Sequence, residues 1–99
     1  MLRPFFSFLF ALLVFFPLVP CFASLDYGKQ SLIGEDFSGA DLKGATFYLT
    51  DLQNADLSST DLEGASLFGA KLENTNLSNA NLRNATLDSA VLDGTNLSN

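Results

Sequence analysis

Acidic side chains recur at five-residue intervals along the middle of this 99-residue chain, and asparagines continue the same spacing farther along. A row of carboxylates can bind a cation or supply a general acid, so it is the feature most suggestive of chemistry. The alternative is that these positions face water in a regular structure. We favour this alternative, because no calcium loop of the EF-hand type accompanies the row. The positions are Asp36, Asp41, Asp51, Asp56 and Asp61, followed by Asn76, Asn81 and Asn96.

Composition excludes several kinds of chemistry. The chain has no histidine, which rules out histidine-based acid–base catalysis and histidine-bound metal. Its one cysteine, Cys21, lies in an apolar leader, so the remainder has no thiol or disulfide. Residues 24–99 hold four basic and eleven acidic residues, giving 4 − 11 = −7. We therefore predict a chain that is not an enzyme, holds no cofactor or metal, and binds no nucleic acid.

A five-residue repeat positions the acidic row. Thirteen units follow one another without insertion from Glu35 to Asn99, each with Phe or Leu at its centre. Ala or Thr stands two places before the centre, with Glu35 the one exception. Gly, Asn or Ser stands two places after it, with Leu49 the one exception. A fixed period of this kind determines the architecture before any local propensity does.

The period of five predicts short extended stretches with a corner in each unit. It fits neither the 3.6-residue period of a helix nor the two-residue period of a flat strand. Gly, Asn and Ser suit tight turns, and the large apolar centre should point inward beside the small Ala or Thr. The predicted interior is Phe37, Leu42, Phe47, Leu52, Leu57, Leu62, Leu67, Leu72, Leu77, Leu82, Leu87, Leu92 and Leu97.

The units ADLKG, ADLSS and ANLRN match the signature A-(D/N)-L-x-x, and the repeat resembles the pentapeptide-repeat family. The resemblance implies an all-β fold: a right-handed quadrilateral β-helix with four units per coil, and about three coils over residues 35–99. Residues twenty apart should then stack at the strand spacing of about 4.8 Å. The segment 30–34 (QSLIG) is interpreted as a degenerate fourteenth unit or as part of a lead-in.

The first 23 residues have the pattern of a secretory signal peptide. Arg3 precedes an apolar run from Phe5 to Val19, and a small residue, Ala23, ends the segment. We predict an N-terminal signal helix that is cleaved after Ala23, with an uncleaved membrane anchor as the alternative. Residues 24–34 are predicted to be a lead-in or N-terminal cap, and residues 35–99 the repeat domain.

Three apolar residues depart from the polar outer face. Tyr48 and Phe68 each follow a centre, are twenty residues apart, and lie beside Leu49. Exposed together, they would form a partner contact, although an aromatic pair that only stabilises neighbouring coils is the alternative. Lys43, Glu63 and Arg83 share another column and predict a surface ion ladder.

These features predict an exported, non-catalytic structural or interaction module with an unidentified protein partner. The resemblance is to the lumenal pentapeptide-repeat proteins of cyanobacteria and chloroplasts, which implies the thylakoid lumen or the periplasm. The alternative function is an acidic DNA-mimic inhibitor of a DNA-binding protein such as gyrase. The membrane is expected only through an uncleaved leader. Residues 80–99 show no capping sequence, so we expect a truncated repeat or self-association through the C-terminal coil.

Overall fold

The computed structural model describes residues 25–99, and the predicted signal peptide and its helix lie outside this range. The described residues contain neither an α-helix nor a strand of more than one residue. Isolated parallel bridges instead join residues twenty apart, from Asp26↔Thr46 to Asn76↔Asn96. Fifteen five-residue units therefore wind into coils of four, giving three coils and three quarters of a fourth.

Hydrogen bonds run from each coil to the next on both sides of a bridge. At the first bridge, the Tyr27 amide donates to the Thr46 carbonyl and the Thr46 amide donates to the Leu25 carbonyl, each at 2.8 Å. The same pair of bonds recurs at every later bridge. Neighbouring coils are thus held like adjacent strands of a parallel sheet, although each contact is only one residue wide.

Each unit from residues 25–29 to residues 90–94 ends in a tight turn that makes one corner of the coil. In the unit centred on Leu42, the Ala45 amide donates to the Leu42 carbonyl at 3.0 Å and Gly44 has φ 68°. A left-handed φ is needed at every corner, which explains why Gly, Asn and Ser recur there. Corner residues are Lys29, Gly34, Gly39, Gly44, Leu49, Asn54, Ser59, Gly64, Gly69, Asn74, Asn79, Asn84, Ser89, Gly94 and Asn99.

The apolar centres fill the inside of the coil. Aromatic rings occupy its lower end, where Tyr27 stacks on Phe47 with centroids 5.0 Å apart and Phe37 meets Phe47 edge-on at 6.2 Å. Leucines fill the space above them. Burial raises the pKa of the Tyr27 hydroxyl, because the phenolate would be poorly solvated there. The fully buried leucines are Leu32, Leu42, Leu52, Leu57, Leu62, Leu67, Leu72 and Leu77.

Small residues line the interior beside these centres, and the threonines among them are hydrogen-bonded. Ala45 and Ala70 are fully buried. The hydroxyls of Thr50 and Thr75 donate to main-chain carbonyls 23 residues earlier, at 2.8 and 2.6 Å. A buried hydroxyl without a partner would be costly, so these bonds allow Thr to alternate with Ala at this position.

The repeat begins earlier than predicted. Residues 25–29 and 30–34 carry the same bridges, turns and buried centres as the later units, with Tyr27 and Leu32 as the centres. The proposed lead-in is therefore wrong for residues 25–29, whereas residues 30–34 form a repeat unit, which was one of the two interpretations of that segment. Leu25 and Gln30 replace the usual Ala or Thr, so neither unit matches the strict signature.

Candidate interaction surface

An aromatic surface, made of Tyr48, Leu49 and Phe68, interrupts the polar exterior. The Tyr48 and Phe68 rings are stacked, with centroids 5.6 Å apart and planes 19° from parallel. Their side chains are 41% and 37% exposed, and Leu49 is 47% exposed. The structure thus brings the three predicted contact residues together on one face. The stacking is expected both for a partner contact and for a pair that only stabilises neighbouring coils. The exposed fractions show that much of each side chain is open to contact.

Leu49 adopts a backbone conformation that leucine rarely takes. Its φ is 55°, the left-handed value that the other corners reach mostly with Gly, Asn or Ser. For a residue with a Cβ this conformation costs roughly 1–2 kcal/mol. Leu49 reaches across the next corner above, since a Cβ added to Gly69 would lie 2.5 Å from Leu49 Cδ2. Gly69 therefore clears the space into which the Leu49 side chain extends.

The acidic row has a structural task on the outside of the coil. Each predicted Asp or Asn accepts a hydrogen bond from the main-chain amide two residues ahead, as Asp56 does from Ser58 at 3.0 Å. The side-chain and main-chain groups of Ser38 lower the pKa of Asp36 by bonding its charged form. In residues 25–99 no three His, Cys, Asp or Glu residues are grouped so as to hold a metal.

Sequence reasoning missed this bond because it treated the position only as solvent-facing. The signal was available, since an Asp or Asn that binds the amide two residues on forms a known turn motif. Amide side chains also link coils: Asn81 Nδ2 donates to Asp61 Oδ1 at 3.1 Å.

The predicted ion ladder is wrong in its pairing. The Lys43 ammonium lies 3.6 Å from Asp61 Oδ2, a diagonal contact with the next coil. Within residues 25–99, no ion pair joins Glu63 to Lys43 or Arg83. The long lysine side chain reaches the neighbouring column, where the carboxylate is held in place by its bond to the Glu63 amide. The exposed pair should contribute little to stability.

The predicted interior residues fall into two groups. Phe37, Phe47 and Leu77 are at most 4% exposed, like the leucines between them, and Leu82 and Leu87 are partly buried. Leu92 and Leu97 occupy interior columns but are 39% and 48% exposed. Leu82, Leu87, Leu92 and Leu97 are less buried than the other centres because no coil of the described chain lies above them.

The repeat seen in the structure is matched by a known family. A sequence model described as "Pentapeptide repeats" matches residues 31–67 and 65–99 in eight copies. The chain belongs to the pentapeptide-repeat family. Proteins of this family are generally structural or interaction modules.

No curated protein matches the sequence significantly. Separately, no helix within residues 25–99 has the length and apolar character needed to cross a membrane.

Several solved structures are similar. A pentapeptide repeat protein, Rfr23, from the cyanobacterium Cyanothece 51142 is 32% identical over 74% of this chain and 56% of its own, with a TM-score of 0.61. A pentapeptide repeat protein from Nostoc PCC 7120 is 31% identical, over 73% of this chain and 64% of its own, with a TM-score of 0.49. One from the Arabidopsis thaliana thylakoid lumen is 31% identical, over 74% of this chain and 58% of its own, with a TM-score of 0.44.

The family and the Cyanothece structure define the fold as a right-handed β-helix. This confirms the family resemblance and the right-handed β-helix that the resemblance implied. The chain spans just over half the length of the Cyanothece protein.

Proposed function

We propose that this chain is an exported, non-catalytic interaction module that contacts a partner protein through the aromatic surface. The observation that carries the proposal is Leu49, an exposed apolar residue on a left-handed backbone beside two stacked, exposed rings. All the other corners of residues 25–99 except Lys29 hold Gly, Asn or Ser. Backbone strain retained at an exposed position is characteristic of functional sites.

Apolar side chains of this size suit a protein contact. Aromatic residues are enriched in the buried centres of interfaces, where they contribute more binding energy than the polar rim. The surface is small, so we expect a transient contact or one that continues onto polar neighbours.

Site-specific photo-crosslinking tests the proposal. A benzophenone amino acid placed at Phe68 should give a discrete adduct with one partner in cells that carry the native compartment. The matched control is the same amino acid at Ser38, which has the equivalent place in its unit but lies on another face. Equal adducts at both positions, or none at Phe68, would overturn the assignment of this surface.

The location is proposed from the leader, which precedes the described residues. We propose export to the thylakoid lumen or the periplasm, with cleavage after Ala23. The mature protein should then begin at Ser24 in N-terminal sequencing and fractionate with the exported proteins. A cytosolic protein that binds gyrase would contradict export and would support the DNA-mimic alternative instead.

Self-association through residues 80–99 is a second proposed contact. Leu92 and Leu97 are exposed within apolar columns, which favours coverage by another surface. Sedimentation over a concentration series tests it: the expected result is a concentration-dependent increase in mass, and a monomer at every concentration contradicts it.

A further inference from the structure

A recess opens directly beneath the aromatic surface. Its volume is about 260 Å³, and its lining residues are Asp26, Gly28, Lys29, Thr46 and Tyr48. We call it the Gly28 recess. Gly28 stands one coil below Tyr48, at the place in its unit that Tyr48 and Phe68 hold in theirs. The column therefore carries two stacked rings above a position that has no side chain.

The absence of a side chain at Gly28 is not required by its backbone. Gly28 does not have the left-handed φ of the corner glycines. A Cβ added there would meet Asp26 Oδ1 at 3.1 Å, a contact that a small movement of the carboxylate relieves. Every equivalent place in the other units holds a residue with a side chain: Ser, Lys, Arg, Asp, Glu, Gln, Ile or an aromatic residue. The recess thus leaves one ring face of Tyr48 open below, while Phe68 stacks on the other.

The recess has a fixed carboxylate at one end. Asp26 Oδ1 accepts the Gly28 amide at 2.9 Å, which holds the group in place. The other oxygen, Oδ2, has no hydrogen-bond partner among residues 25–99. Lys29 also lines the recess, and its exposed, flexible side chain can direct its ammonium into solvent. Residues 24–99 carry a net charge of −7, so the surroundings favour a cation.

A flat cation satisfies both features. The guanidinium of arginine stacks on aromatic faces and donates hydrogen bonds to carboxylates within the same plane. A lysine ammonium would supply the charge without the stacking plane. A saccharide would need several converging donors and acceptors, and the recess offers only one carboxylate, the Thr46 hydroxyl and the mobile Lys29.

We infer that the Gly28 recess binds an arginine side chain of the partner protein, which stacks beneath Tyr48 and pairs with Asp26. This inference rests on the proposed function, because the recess adjoins the aromatic surface and would belong to the same interface. It adds the chemistry of the partner: an arginine next to apolar residues that cover Leu49 and Phe68.

The experiment is an NMR titration of ¹⁵N-labelled protein, expressed from the full-length sequence, with capped tripeptides. The probe is acetyl-Ala-Arg-Ala-amide, and its lysine and citrulline analogues are the controls. Citrulline keeps the flat shape but lacks the charge, whereas lysine keeps the charge but lacks the shape. We expect saturable shifts at the amides of Gly28, Lys29 and Tyr48, with the arginine peptide binding at least about threefold more tightly than either analogue.

Two variants test the residues. Asp26→Asn should weaken binding about three- to tenfold while keeping the turn, since Asn76 and Asn96 accept the same main-chain bond in their units. Asp36→Asn removes an equivalent charge on another face and should leave binding unchanged. Gly28→Phe should extend the stack into the recess and abolish binding, with a native-like spectrum showing that the fold is retained.

Several results would overturn the inference. These are no amide chemical-shift changes at high concentrations of the arginine peptide, equal changes with all three peptides, and changes with methyl glucoside but not with the arginine peptide. The crosslinking experiment separates the two proposals. Adducts at Phe68 without arginine binding would contradict the arginine site and support the interaction surface. Arginine binding without adducts would support the arginine site and contradict the interaction surface.

Discussion

Replacing Leu67 by alanine tests the inward and outward assignment of the repeat. Leu67 is fully buried in the column that also holds Phe47 and Leu87. Truncating a buried leucine costs about 2–5 kcal/mol, because transfer energy is lost and a cavity remains. In a domain of this size, 1 kcal/mol lowers the melting temperature by roughly 4–8 °C. We therefore expect Leu67→Ala to melt at least about 8 °C lower.

The matched control is Glu63→Ala, which makes an alanine at a partly exposed outer position in the preceding unit. The Glu63 amide keeps its bond to Asp61, so only the side chain beyond Cβ is lost. Such surface changes alter stability by about 0.5 kcal/mol or less. Thermal melts followed by circular dichroism measure both variants. Equal losses, or a larger loss for Glu63→Ala, would refute the register of the coil.

Three further predictions follow from single contacts. Gly69→Ala should destabilise more than Gly64→Ala: both corners have φ near 70°, but only the first would collide with Leu49, and melts compare them. Because burial raises the pKa of Tyr27, its contribution to stability is complete below the ordinary tyrosine pKa of about 10 and is lost above it; Tyr27→Phe should remove this alkaline loss in pH-dependent melts. Because Ser38 lowers the pKa of Asp36, the ionised Asp36 carboxylate contributes stability above the ordinary aspartate pKa of about 4, and this contribution is lost as pH falls below it. Asp36→Asn should therefore reduce the fall in melting temperature at acid pH.

The parts of the fold that could be predicted are those that the repeat enforces in every unit. A large apolar centre must be covered and a corner must turn, so alternation and composition were enough to assign Leu67 inward and Gly44 to a turn. Contacts between columns were harder to predict. A lysine can reach several carboxylates, and the choice of Asp61 over Glu63 depends on side-chain geometry that a linear pattern does not contain.

The aromatic surface was predictable in part for the same reason. Twenty-residue spacing places Tyr48 under Phe68, so their proximity follows from the coil length. The Gly28 recess was hidden by the missed unit at residues 25–29. Without that unit, Gly28 had no defined position beneath Tyr48, and a glycine in a lead-in segment gives no sign that it leaves a ring face uncovered.

In a repeat, departures from the rule carry information because all units meet the same structural demands. Only two corner residues within 25–99 are not Gly, Asn or Ser, namely Lys29 and Leu49, and they occupy one column. The exposed rings of Tyr48 and Phe68 lie in the adjacent column of the same face. Exposed apolar side chains also occur on the next face, at Ile33 and Val91, but both corner departures and both exposed rings lie on one face. A contact surface concentrates such departures, which is why this face, rather than the regular acidic columns, is where a partner should be sought.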